Sequence, residues 1–73
     1  MARVTLYTKE GCPHCARQRE ILRASGDEVD EINLTQRPQA TAELLKLTGG
    51  RPLVPVIVRG GRIEVAPGGG SEL

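Results

Sequence analysis

Cys12-Pro13-His14-Cys15 decides how this chain is read, because both of its cysteines lie in that one run. The run stands where a strand-like segment, Arg3–Thr8, gives way to a helix-like one that begins at Pro13. A C-x-x-C dithiol at such a junction reads as a redox motif and not as a structural bridge. With Cys12 just before the first helical turn, unpaired backbone N–H groups and the positive end of the helix dipole face its sulfur. Both favour the thiolate, and thiols so placed have pKa values of roughly 3.5–7.5, against about 8.5 for a free cysteine. Cys15 falls one turn further in and is shielded by the helix body. The expectation is an exposed attacking sulfur at Cys12 and a recessed resolving sulfur at Cys15.

Other uses of the pair fit less well. A structural zinc site takes about four ligands. Only Cys12, Cys15 and His14 are at hand, and His14 cannot easily face the metal from inside the same short turn, so no metal is expected. A staple that closes so short a loop would restrain little chain entropy. Two inert buried thiols would leave Pro13 and the upstream Lys9 without a purpose.

The chain of 73 residues is expected to form one small domain, residues 1–73, near the lower limit for a self-sufficient core. Ten basic and nine acidic side chains leave a net charge of +1, which implies no polyanion partner. Tyr7 is the sole aromatic residue, so stacking on nucleic-acid bases is not expected. No stretch approaches the ~20 apolar residues of a membrane span. Met1-Ala2-Arg3-Val4 shows no secretory apolar region, and a reducing cytoplasm is the default location. There the dithiol rests reduced and a disulfide is transient.

Val4, Thr5, Leu6 and Tyr7 in succession predict a first strand buried on both faces. Lys9-Glu10-Gly11 is a loop, and Pro13 suits the first helical position. The helix runs to about Ser25, with Cys15, Ile21 and Leu22 expected inward, and Gly26 ends it. Glu28–Leu34 alternates polar and apolar residues, as a half-buried edge strand does. Pro38 opens a second helix whose apolar stripe is Ala40, Leu44, Leu45 and Leu47, and Gly49-Gly50 stops it. Leu53–Val58 reads as a buried strand, Arg59-Gly60-Gly61-Arg62 as a type I′ hairpin, and Arg62–Ala66 as the returning antiparallel strand. After Pro67 come Gly68 to Gly70 and then Ser71-Glu72-Leu73, a last helix truncated or absent.

The run from Tyr7 to Cys15 resembles the active-site segment of dithiol glutaredoxins, where a tyrosine usually stands at the His14 position. Val54-Pro55 is similar to the family's Thr-Val-Pro, and Gly69-Gly70-Ser71-Glu72 falls where its Gly-Gly-x-Asp-Asp region lies. The resemblance covers nearly the whole chain. It implies a thioredoxin-like α/β fold, with a four-stranded mixed sheet in the order β-α-β-α-β-β and the C-terminal helix truncated or absent. It further implies a thiol–disulfide oxidoreductase with glutathione as co-substrate and disulfide-bearing proteins as partners, recycled by the glutathione reductase system. Redoxins recycled by thioredoxin reductase, such as electron donors to ribonucleotide reductase, share most of the pattern. A dimer holding a [2Fe–2S] cluster through Cys12 and two glutathiones is a further alternative, which Pro13 disfavours.

On this resemblance Cys12 and Cys15 are catalytic. Pro55 is expected to be cis and packed against the dithiol, so that Val54 turns its backbone outward to pair, strand-fashion, with a peptide-like substrate. Lys9 would stabilise the Cys12 thiolate or hold a glutathione carboxylate, and His14 would line the groove. Gly69 and Gly70 would offer N–H groups to the γ-glutamyl carboxylate, Ser71 would cap the interrupted helix, and Glu72 would accept the γ-glutamyl ammonium. The chain departs from the family in Leu53, which replaces a threonine, and in Gln18, where a small core residue is common. The missing last helix is expected to leave Ile63, Val65 or helix-one side chains uncovered and to favour a weak homodimer.

Overall fold

The computed structural model describes residues 3–73. β1 (Arg3–Thr8) is central in a four-stranded sheet ordered β2-β1-β4-β5, parallel to β2 (Glu28–Asn33) and antiparallel to β4 (Val56–Arg59). β5 (Arg62–Val65) returns antiparallel to β4 and forms the other edge. The thioredoxin-like α/β arrangement expected from the sequence is what the chain adopts.

β1 is buried on both faces because each face has its own cover. Val4 and Leu6 join Ile57 and Leu22, the last from α1 (Pro13–Ala24), in one apolar cluster. Tyr7 points the other way, into a cluster with both cysteines, Leu34, Val54, Val56 and Leu44 of α2 (Thr41–Thr48). Each fully buried leucine, Leu6 and Leu44, stabilises the fold by about 1.5–3 kcal/mol relative to an exposed one. A 3-10 turn at Pro38–Ala40 leads into α2, and Gly49 ends it in the left-handed conformation at φ 69°.

Four expectations change. Ile21 is 48% exposed. At 100° per residue Leu22 returns to within about 20° of Cys15, whereas Ile21 lies about 120° away and leaves the stripe. In the β4–β5 hairpin only Gly60 of the two turn residues takes a positive φ, 59°, which is the type II′ pattern and not I′. The strand expected over Leu53–Val58 is divided by a cis Val54–Pro55 bond into β3 (Leu53–Val54) and β4. Finally, no helix starts at Ser71. Ser71–Glu72 is a sixth strand, β6, antiparallel to β3 in a small sheet of its own.

Of the side chains expected to be uncovered, Ile63 (41% exposed) and Ile21 of α1 are, whereas Val65 is half-buried. Val58 opposes Ile63 and Val56 opposes Val65, so Ile63 and Val65 share the face on which Val56, Val58 and Val65 pack with Leu44. The opposite face of β5 carries Arg62 and Glu64, paired at 3.7 Å.

Candidate active site

The first turn of α1 is organised by Cys12 itself. Its backbone is extended (φ −99°, ψ 106°), and its sulfur accepts the Cys15 N–H at 3.2 Å, the N-cap position of the helix. Pro13 at the first helical position loses no bond by lacking an N–H. Burial would push the Cys12 thiol up, but hydrogen bonds from the Cys15 thiol and the Ser71 hydroxyl, and backbone N–H groups of Cys15 and His14, outweigh it. The net result is a Cys12 pKa below that of an ordinary thiol.

Cys15 goes the opposite way. Burial and its contact with Cys12 push it up to about 12, while the Lys9 backbone and the Arg19 charge pull weakly against the rise. The two thiols are not bonded to each other, and the expected division into a ready sulfur and a protonated one is present. One element of the expectation fails: Cys12 is only 5% exposed, hardly more open than Cys15 at 1%.

Cys12 packs among Tyr7, Leu34, Leu44, Val54 and Val56, and the segment following β5 runs beside the dithiol. Ser71 stands opposite Val54 in the β3–β6 ladder, near enough for its hydroxyl to help lower the Cys12 pKa. Lys9 Nζ donates to the Glu72 carbonyl at 2.6 Å and is not among the groups that lower the Cys12 pKa. The His14 ring packs on Gly69, where a Cβ would come within 2.9 Å of His14 Cε1. Gly69 N–H is already donated to Ala66 O at 3.0 Å, so it is not free for the anion nest expected there. Glu72 directs its carbonyl to Lys9, and the residue is exposed. Thus Lys9, His14, Val54, Pro55, Gly69, Gly70, Ser71 and Glu72 are brought to one place around the dithiol, several of them bonded to one another.

Two contributors carry no site role in the sequence reading. Gln18 Nε2 donates to Pro67 O at 3.0 Å and ties α1 to the start of the glycine segment. Arg19 forks onto the Glu31 carboxylate at 2.5 and 2.6 Å, and Thr8 Oγ1 donates to the same group at 2.9 Å. The spacing of Cys15 and Arg19, four residues apart on one helix, was the available signal. An open hollow of about 450 Å³ lies beside Cys12, lined by Lys9, Gly11, Pro13, Ala16 and Arg19 among others.

The glutaredoxin family model matches residues 4–64. This chain belongs to the glutaredoxin family. A glutaredoxin of Neisseria meningitidis serogroup B is 40% identical over 74 residues, a match that takes in all of this chain and 82% of the relative. Glutaredoxin 3 of Escherichia coli is 37% identical over 57 residues, covering 78% of this chain and 68% of its own. The crystal structure of a glutaredoxin from Archaeoglobus fulgidus superposes with a TM-score of 0.74 at 27% identity, over 99% of this chain and 78% of that one. As a glutaredoxin the protein is a thiol–disulfide oxidoreductase, and glutathione and disulfides are the reaction partners the family implies. Among the described residues no His, Cys, Asp and Glu cluster of three or more is arranged to hold a metal, and no helix is long and apolar enough to cross a membrane.

Proposed function

We propose that the protein reduces glutathione mixed disulfides and protein disulfides through Cys12, with glutathione as the electron donor. The observation that carries this reading is the opposite acidity of two thiols one turn apart, Cys12 below and Cys15 far above the ordinary value.

For a mixed disulfide, the Cys12 thiolate attacks the glutathione sulfur, the S–S bond breaks, and the protein thiolate leaves and takes a proton. A second glutathione thiolate then attacks the Cys12–glutathione bond, giving oxidised glutathione and free Cys12. For a protein disulfide, Cys12 forms the mixed disulfide and Cys15, once deprotonated, attacks Cys12 and expels the substrate's second thiolate. Two glutathiones then reduce the Cys12–Cys15 bond. Lys9 and His14 flank the groove, and Val54 beside the cis Pro55 offers the backbone edge on which a peptide-like substrate pairs. Gly69, Gly70, Ser71 and Glu72 border it, with Ser71 paired to that Val54 edge in the absence of substrate.

Cys12→Ser is expected to abolish both reactions, and Cys15→Ser to abolish reduction of protein disulfides while leaving deglutathionylation. The check is turnover of a glutathionylated peptide coupled to glutathione reductase. Equal loss in the two variants would overturn the glutathione route, and faster turnover with thioredoxin reductase would transfer the assignment to that donor.

A further inference from the structure

Ser71, Glu72 and Leu73 use the hydrogen bonds that a docked substrate needs. Leu73 N–H donates to Pro52 O at 2.9 Å. Bonded and open pairs alternate along an antiparallel ladder, so two residues on the bonded pair is Ser71 with Val54. The Val54 N–H and C=O are therefore both spent on Ser71. Glu72, in the open pair opposite Leu53, turns its carbonyl outward to Lys9 Nζ at 2.6 Å. Lys9 and Val54, the two groups best placed to hold an extended peptide, are thus both engaged.

The approach is close enough to dictate residue type. At Gly70 a Cβ would overlap the Val54 carbonyl oxygen and lie 2.7 Å from Ala66 Cβ. At Gly69 it would strike the His14 ring, and the backbone there has φ +114°, which a side chain strongly disfavours. Gln18 anchors the segment's other end at Pro67. Seated this way, the strand holds Ser71 beside Cys12, which is 5% exposed. A peptide that pairs with Val54 must first displace Ser71, so this seat and docking of such a substrate exclude each other.

We propose that Gly70–Leu73 is an internal ligand of the groove, a strand that occupies Val54 and Lys9 in the resting protein and leaves when a peptide-like disulfide docks. The proposal rests on the reading of that groove as the substrate site. Its quantitative form is a population effect: with the groove open a tenth of the time, apparent substrate affinity falls about tenfold.

Two full-chain variants unseat the strand with Lys9, Val54 and both cysteines unchanged; Ser71→Pro also removes the hydroxyl that lowers the Cys12 pKa, so Gly70→Ala carries the rate comparison. Gly70→Ala introduces the overlapping Cβ, and Ser71→Pro removes the N–H that Val54 accepts. The Val54 amide is expected to be protected from exchange in the parent chain and unprotected in both variants. Reaction of Cys12 with oxidised glutathione is then expected to quicken about tenfold. Slower or unchanged reaction with the strand released would overturn the proposal and make the segment part of the substrate grip. So would a Val54 amide that exchanges freely in the parent.

Protection of the Leu6 and Leu44 amides reports whether each variant keeps its fold. The parent protein gives a measurement independent of both. Saturation with S-methylglutathione should expose the Ser71 amide to exchange, and a Ser71 amide still protected with that ligand bound would overturn the idea. Alkylation of Cys12 by iodoacetamide at pH 6 separates the two failures. If released variants alkylate no faster than a free cysteine peptide, the redox reading fails. If they alkylate fast but gain nothing toward the disulfide, only the internal ligand fails.

Discussion

Cys12 and Cys15 lie one helical turn apart in the same short motif, yet different parts of the molecule hold them. Cys12 draws its donors from both ends of the chain: the Cys15 and His14 backbone at the start of α1, and the Ser71 hydroxyl on β6. Cys15 is set by what it packs among, a cluster formed by β1, β3, β4 and α2 around Tyr7, Val54, Val56 and Leu44. The first thiol is tuned by hydrogen bonds and the second by exclusion of water. Four consecutive residues therefore suffice for most of the first effect, whereas the second needs the whole fold.

The strongest way to break the contrast is to ask both sulfurs to react at one pH. With mass-spectrometric mapping at pH 7, iodoacetamide is expected to label Cys12 at least about 100-fold faster than Cys15, whose thiolate is scarce at a pKa of about 12. Comparable labelling would remove the asymmetry. Next in size is Leu44→Ala, which opens a cavity in the cluster around Cys15. The expected loss is about 2–5 kcal/mol in denaturant melts, together with a fall in the Cys15 pKa as water reaches it. Stability lost with the Cys15 titration unmoved would show that burial is not what raises it.

A smaller effect belongs to the network beside Cys15. Arg19 and the Thr8 hydroxyl hold the Glu31 carboxyl below the ordinary range against the opposing effect of burial. A group with a lowered folded pKa contributes stability that is present above its ordinary value, about 4.3, and lost as pH falls through the folded value. Glu31→Gln should therefore cost about 1 kcal/mol at neutral pH and flatten the acid limb of the stability curve below that point. A wild-type acid limb in the variant would exclude the network. The finest test is Ser71→Ala, which keeps the β3–β6 ladder and removes one hydroxyl. The Cys12 titration, followed by thiolate ultraviolet absorbance, should move upward, and no movement would restrict the tuning to α1.

What could be read from the sequence follows the same division. β1, α1 and α2 were legible because their signals are local: β-branched succession, proline at a helix start and paired glycines at a helix end. The dithiol and its polarity came with them. The segment after Pro67 is not legible, because a run of glycines has no side-chain period and Ser71-Glu72 looks like a helix start in isolation. Its partner is Val54, across the β4–β5 hairpin, and no local pattern announces such a pairing. Ile21 differs for another reason: it is apolar, but the helical spacing already in the sequence turns it away from the buried stripe. The Arg62–Glu64 face was equally legible by alternation, which assigns Ile63 and Val65 to the α2 side.

The cap on α1 carries a consequence of its own. A helix whose opening N–H is held by a reactive sulfur, as the Cys15 amide is held by Cys12, has a first turn that depends on oxidation state. When Cys12 enters a disulfide it surrenders its negative charge, and the acceptor for that amide weakens. Each catalytic cycle should then slacken and retighten the entrance of α1, so that the Cys15 amide resonance serves as a built-in gauge of how many molecules are oxidised.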